Sequence, residues 1–157
     1  MINLRRVSAK DCKLIWQWAN DPEVRAVSFS SDSISFENHE QWFESKMNDP
    51  NCHFYVAENS QHEAVGQVRF DLNGHQATIS ISLAPRFRGQ GYGSMLIQLA
   101  SQRTLEVSNV DVIHAYVKKE NPVSLKAFQK AGFKILKDTF VKAQPAHHLV
   151  KKKEVQR

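Results

Sequence analysis

Apolar and polar positions alternate with a period near two over three stretches in the middle of the chain, His53–Glu58, Ala64–Leu72 and Gln76–Leu83. Each reads as a strand, and Asn73-Gly74 between the second and third predicts a type I′ hairpin. On either side the period lengthens toward that of a helix. After a short first strand, Asn3–Val7, the tetrad Ser8-Ala9-Lys10-Asp11 resembles a capping box, and Cys12, Ile15, Trp16 and Ala19 follow at helical spacing. Asp21 as N-cap and Pro22 at the first helical position open a second helix. Ser28-Phe29-Ser30-Ser31-Asp32-Ser33 is a polar loop holding one large aromatic. A third helix spans Ser35–Met47, with Phe36, His39, Trp42, Phe43 and Met47 on one stripe, most of it expected in the core.

Past Leu83 the order changes. A helix from Gly91 to about Glu106 turns Leu96, Leu99, Ala100 and Leu105 inward, and Val112–Val117 is a short strand. If that helix is a crossover, this strand lies parallel to Gln76–Leu83. Asn121-Pro122 caps a last helix, which Gly132 stops. Phe133–Val141 and His147–Lys151 form a closing hairpin around a turn at Gln144-Pro145. No internal repeat, low-complexity run or linker interrupts the chain, so residues 1–157 are read as a single domain.

The stretch that carries chemistry is Ile79–Gly93, where a strand ends at Pro85 and glycines recur at 89, 91 and 93 before a helix starts. Strand, glycine-rich loop and helix N-terminus together turn bare amides toward an anion. A Walker loop would need Gly-Lys-Ser/Thr, and Tyr92-Gly93-Ser94 has no such lysine. The dinucleotide fingerprint needs G-x-G-x-x-G early in a βαβ unit, whereas the spacing here is G-x-G-x-G behind a hairpin.

Composition narrows the classes further. Apolar residues make up 41% and charged residues 24%, ordinary for a globular chain. No apolar run reaches the roughly 20 residues of a membrane span. The start Met1-Ile2-Asn3-Leu4-Arg5-Arg6 lacks the apolar core of a signal peptide, so a cytoplasmic protein with no membrane partner is expected. The net charge of +5 comes largely from scattered lysines and Lys151-Lys152-Lys153, read as a solvated strand end. Without an aromatic-interleaved basic stripe, nucleic acid is not expected, and a polyanionic small ligand explains the charge as well. Cys12 and Cys52 have no disulfide or metal spacing, and Cys12 reads as a buried thiol rather than a nucleophile. His147-His148 point to opposite faces of a strand and cannot chelate together, so no metal is expected.

Arg88-Gly89-Gln90-Gly91-Tyr92-Gly93 matches R/Q-x-x-G-x-G/A and closely resembles the acetyl-CoA pyrophosphate loop of the GNAT superfamily of N-acetyltransferases. Downstream, Glu120-Asn121-Pro122-Val123-Ser124 and Phe128-Gln129-Lys130-Ala131-Gly132-Phe133 resemble that family's E-N-x-x-S/A…Y-x-K-x-G-F segment. The resemblance implies an α+β fold layered α/β/α, with a mostly antiparallel mixed sheet splayed at its central parallel strand pair. It implies acetyl-CoA as cofactor. Backbone at Ile81, Ser82 and Leu83 would hold the pantetheine arm, and the Leu83 amide would polarise the thioester carbonyl. Amides of Arg88, Gly89, Gln90, Gly91, Tyr92, Gly93 and Ser94 would take the pyrophosphate, while Asn121, Ser124 and Phe128 border the arm. The implied reaction is direct acetyl transfer to a primary amine.

One departure stands out. Where the family has a tyrosine that protonates the leaving sulfur, this chain has Phe128, which has no proton to give. Tyr116 or Ser124 are then the acid candidates, or solvent protonates the thiolate. Ser80 and Ser82 stand where relatives often place a glutamate, which leaves Glu120 and His39 as candidate bases.

The N-terminal half bears on the acceptor. Trp18-Ala19-Asn20-Asp21-Pro22-Glu23-Val24-Arg25, Ser28-Phe29-Ser30, Glu37–Phe43, Gly66–Asp71 and Ile79–Leu83 together resemble the amino-sugar N-acetyltransferases of the pseudaminic acid pathway. That resemblance implies a UDP-linked 4-amino-4,6-dideoxy sugar as acceptor, with Arg25 and His39 contacting the nucleotide. Phe29 and Arg69 would border the sugar, though core packing, or for Arg25 a surface ion pair, answers the same pattern. Acetylation of a protein N-terminus or a polyamine, and a CoA-binding module without turnover, are the alternatives. The assembly expected is a monomer or a homodimer.

Overall fold

The computed structural model describes residues 1–30 and 32–154, so Ser31 of the polar loop lies outside the described residues. A seven-stranded sheet in the order β1-β2-β3-β4-β5-β7-β6 organises the chain. β1 (Asn3–Arg6), β2 (Cys52–Glu58), β3 (Ala64–Asn73) and β4 (Gln76–Leu83) are antiparallel neighbours. β5 (Val112–Lys118) lies parallel to β4, and β7 (Gln144–Lys152) and β6 (Lys134–Val141) close the far edge antiparallel. The parallel pair at the centre is the one the crossover reading required.

Helices α1 (Cys12–Ala19), α2 (Pro22–Val27), α3 (Phe36–Met47), α4 (Tyr92–Val107) and α5 (Pro122–Lys130) flank the sheet. Adjacent strand residues reveal the layering, because their side chains leave opposite faces. Phe54 packs on Phe43 and Trp42 of α3, with ring centroids 5.5 and 6.0 Å apart. Its neighbour Tyr55 lies 5.7 Å beneath the guanidinium of Arg103 on α4. Helices α3 and α4 therefore cover opposite faces, giving α/β/α layers. Between them Phe54, Phe70, Leu96, Ile97, Ile113 and Leu149 are fully buried, each contributing about 1.5–3 kcal/mol by removal of apolar surface from water.

The predicted caps are in place. Asp11 accepts the Ser8 amide at 2.8 Å, and Asp21 accepts the Glu23 amide at 3.1 Å. Ser35 caps α3 through the Asn38 amide, and Asn121 caps α5 through the Ser124 amide. Gly132 ends α5 with φ +96°, a conformation in which a Cβ would be strained.

Both predicted hairpin turns are displaced. Asn73 pairs with Gln76, so the first loop is Gly74-His75, with positive φ at Gly74 and not at His75. That pattern excludes type I′ and fits type II′, which places glycine at the first central position. The closing hairpin turns at Lys142-Ala143, both at positive φ, and Gln144-Pro145 already belong to β7. Two further expectations shift. Phe36 and Trp42 are 38% and 36% exposed rather than core, because Phe36 packs only edge-on against Trp16 and Trp42 meets Phe54 with one side left to solvent. Lys151 is no solvated tail residue, for its Nζ donates to the Ala131 carbonyl at 2.8 Å. Cys12 and Cys52 are buried free thiols, and burial pushes the Cys52 thiol up to about 11.

Candidate active site

The ladder between β4 and β5 is short. Its paired positions are Gln76↔Val112, Ala77↔Ile113 and Thr78↔His114. Beyond them β4 stays paired with β3 as far as Leu83, and β5 with β7 as far as Lys118. A V-shaped gap thus opens between Ile79–Leu83 and Ala115–Lys118.

Hydrogen-bond alternation decides what faces that gap. The Ala84 amide donates to the Val65 carbonyl, which fixes Ser82 and Ser80 as bonded partners of β3 two and four residues earlier. Main-chain groups of Ile79, Ile81 and Leu83 therefore turn toward β5. On the other strand, Lys119 donates to Pro145 and Lys153 donates to Asp111, so Tyr116 and Lys118 turn their main chain toward β4. Two strand edges thus present open donors and acceptors to each other, a setting that accepts an extended amide-bearing chain as an extra strand.

The glycine loop lies at the open end of the V. Gly91 is the N-cap of α4 at φ +85°, and Gly89 has φ +74°. A Cβ built on either would meet nothing within 4 Å. Their open sides, beside the first-turn amides of a sixteen-residue helix, form a cradle that suits a pyrophosphate. Phe87 edge-packs on Tyr92 at 5.7 Å and holds the loop against the helix. The residues present fit coenzyme A, which would lie with its pyrophosphate on the loop and its arm between Ile79–Leu83 and Tyr116–Lys118.

Arg88 plays another part than the one its motif position implies. Its amide donates to the Pro85 carbonyl at 3.3 Å and is spent inside the turn. Its guanidinium bonds Asp21 at 2.9 Å, Glu23 at 2.8 Å and the Leu83 carbonyl at 3.2 Å. Arg88 therefore ties the start of α2 to the end of β4, and the amides that would meet an anion narrow to Gly89–Ser94. Burial pushes the Asp21 carboxyl up, but the bonds and charge of Arg88 outweigh it and hold it below the usual range.

The remaining candidates separate by position. Phe128 is buried edge-on against Phe133 at 5.1 Å, a core residue with no proton to give. Asn121 spends Oδ1 on the Ser124 amide, which leaves its side-chain N–H groups for the arm. Glu120 lies exposed in the turn before α5. His39 is buried, and its Nε2 donates to the Cys12 carbonyl at 3.0 Å. Burial lowers its pKa, and the ring stacks on Phe43 at 5.8 Å. This histidine serves the packing of α1 on α3, so the geometry does not support it as a base or a nucleotide contact.

On the α3 face the sheet is polar beside the gap. Arg69 reaches Ser80 at 3.2 Å and Asp71 at 3.0 Å, under the Trp42 ring at 4.9 Å. Gln67 donates to Ser82 at 2.8 Å, while its own buried Oε1 has no partner among the described residues. Asp71 also pairs with Lys46 at 2.8 Å. Arg25 donates to the Ser30 and Asp32 carbonyls and to Ser28 Oγ, and its Nε is buried without a partner among the described residues. Phe29 lies beside it, its carbonyl accepting from Gln144 at 2.7 Å. Further along that face, Tyr116 stacks on His148 at 4.5 Å, and His148 bonds His114 at 2.8 Å. The sequence reading missed Gln67, Gln76, His114 and the partnership of His148. The alternation on β5 and β7 carried the signal, but using it requires knowing which strands pair.

A sheet splayed at one parallel pair, with a glycine loop and helix N-terminus at the open end and a polar face opposite, suits a coenzyme A-dependent acyltransferase. The chain belongs to the acetyltransferase (GNAT) domain family, whose model matches residues 2–134. It is 24% identical over 135 residues to the spermidine N(1)-acetyltransferase of Vibrio cholerae serotype O1, covering 84% of this chain and 78% of that protein. It is likewise 24% identical over 134 residues to the acetyltransferase PseH of Campylobacter jejuni, covering 85% and 83%. The crystal structure of the Vibrio cholerae spermidine N-acetyltransferase in complex with CoA and spermine superposes with a TM-score of 0.87. That match has 22% identity and covers 96% of this chain and 95% of that one.

Proposed function

We propose that this N-acetyltransferase acts on the amino group of a nucleotide-linked sugar, of the UDP-4-amino-4,6-dideoxy type. Acetyl-CoA supplies the acetyl group as a thioester, and this chain binds it, orients it and receives the amine from the α3 side of the sheet. The carrying observation is Arg25. Its guanidinium is half-buried and bonded to neutral oxygens, and burial lowers its pKa with no carboxylate partner among the described residues. A desolvated cation of this kind is stabilised by an arriving anion, and a planar fork suits a diphosphate. The carboxylate on the sheet face, Asp71, is already shared by Lys46 and Arg69, so the floor offers no free anion to a polycation.

A polyamine acceptor is the second reading. It is favoured by the exposed Asp32, Glu37 and Glu40 before and on α3 and by relatives named for spermidine. Release of free coenzyme A decides between them, measured with a UDP-4-amino sugar, spermidine and an N-terminal peptide. The nucleotide sugar should turn over fastest. Loss of a charged hydrogen-bonded contact costs about 1.5–3 kcal/mol, so Arg25→Ala should raise its KM roughly 10- to 150-fold. Arg25→Lys should recover only part of this. Preference for spermidine, unaffected by Arg25→Ala, would sink the nucleotide-sugar reading.

A further inference from the structure

The geometry points to the His114–His148 pair as the group that takes the proton from the attacking amine, a role resting on the acetyltransferase reading above. His114 occupies the last β4–β5 rung, at the apex where the strands part. A coenzyme A arm held by its pyrophosphate at Gly89–Ser94 runs from the open end toward that apex, so its reactive end approaches His114 and not the loop. His114 shares the α3-side face with Thr78 and Tyr116, by register on β4 and alternation on β5. His148, directly opposite Tyr116 on β7, shares it too.

The pair is wired in one direction. Gln76 Oε1 accepts from His114 Nε2, which places the ring proton there and leaves His114 Nδ1 bare. Nδ1 then accepts from His148 Nε2 at 2.8 Å, leaving the lone pair on His148 Nδ1. That atom can take an N–H proton from an ammonium nitrogen, directly or through one water, while the bonding pair stays behind as the nucleophilic lone pair. The new imidazolium still donates from Nε2 to His114, whose lone pair stabilises the charge, and the Tyr116 ring stacked at 4.5 Å adds a π-face beside it.

Both rings are held neutral near pH 7. Burial lowers the His114 pKa; burial, then His114, then Lys137 lower that of His148. The charged and titratable groups around them are Tyr116 and Lys118 on β5 and Lys137 opposite on β6. Asp71 lies on the same face of β3, already paired with Lys46 and Arg69. Asp71 is the carboxylate in this group, and with Lys46 and Arg69 on it, it does not pre-charge the pair.

The test combines kinetics with a readout that needs no acceptor. Loss of a general base typically costs about 10²–10⁴ in rate. His148→Gln should therefore lower kcat at least a hundred-fold with a UDP-4-amino sugar, with the KM for acetyl-CoA and the thermal shift by coenzyme A unchanged. The acid limb of kcat/KM, set by the pair's pKa, should vanish in that variant. His114→Leu should lower kcat and shift that limb rather than abolish it, because His148 keeps Nδ1 but loses the acceptor that fixes its tautomer, and Gln76→Glu should shift the limb upward. Nitrogen-15 long-range spectra of the wild type should show both rings protonated at Nε2, titrating as a coupled pair below pH 6.5. Unchanged kcat and limb in both histidine variants, or a His148 protonated at Nδ1 in the neutral enzyme, would overturn the assignment. Failure of the wild type to release coenzyme A with any amine would instead overturn the reading beneath it.

Discussion

Asp11 illustrates how one side chain sets the acid side of stability. It is nearly buried, and it accepts both Arg5 terminal nitrogens at 2.8 Å and the Ser8 amide at 2.8 Å. Burial pushes its carboxyl up, but Arg5 and Ser8 together outweigh burial and hold it below the usual carboxylate range. A depressed folded pKa contributes stability above the unfolded value near 3.9, and that contribution is lost as pH falls through the folded pKa. Asp21 and Asp71 have the same sign. Thermal midpoints should therefore drop most steeply below about pH 4, after a first decline below about pH 6.5 as the unfolded chain protonates His39, His53, His114 and His148, whose folded pKa values burial lowers. Asp11→Asn should lower stability at pH 7 by about 1–3 kcal/mol. The lower part of that range is favoured because Arg5 is 36% exposed and water screens it. The variant should also flatten the acid slope. A melt series whose slope is the same in both proteins would contradict the assignment.

At the scale of elements, the glycine loop separates fold from ligand. Gly91→Ala puts a methyl group at φ +85°, a strain of about 1–2 kcal/mol, yet it meets no protein atom within 4 Å. Its methyl would stand beside the amides expected to hold phosphate. Coenzyme A affinity should fall more than ten-fold by calorimetry while the chain stays folded; equal affinity would remove the loop from the site. Gly66→Ala is the converse case, since its Cβ would lie 2.7 Å from the Ser82 carbonyl and push β3 off β4. Elements of this kind were legible in the sequence because period, caps and glycine spacing are local. The first six strands, the parallel crossover, the caps at Ser8, Asp21 and Asn121 and the glycine loop stand where the pattern put them, whereas the last strand starts three residues early, at Gln144. What was not legible depends on partners distant in sequence. Arg88 meets Asp21 67 residues away, and His114 meets His148 34 residues away, through registers that no local pattern encodes. The hairpin turns slipped because ladder register, rather than the Asn-Gly or Gln-Pro dipeptide, chose their central residues.

Taken whole, the molecule is a sheet lacking several central rungs, and the gap they leave is the proposed seat of the cofactor. The same strand carries its own control. Amides of Ser80 and Ser82 face β3 and are bonded in the free protein, whereas those of Ile81 and Leu83 face the gap; on β5, Tyr116 and Lys118 face the gap while Ala115 and Val117 face β7. Coenzyme A at a hundred times its Kd stabilises the folded state by about 2.7 kcal/mol if it does not bind the unfolded chain. Amides that exchange only by global unfolding should then slow by roughly a hundred-fold. The gap amides should slow by more than their bonded neighbours, because they gain partners they did not have. Hydrogen exchange resolved by residue, with and without coenzyme A, should thus show an alternating gain along β4 and β5. A uniform gain along both strands, or one centred on β6, would mean that the arm does not lie in the gap and that the parted strands are not the cofactor's seat.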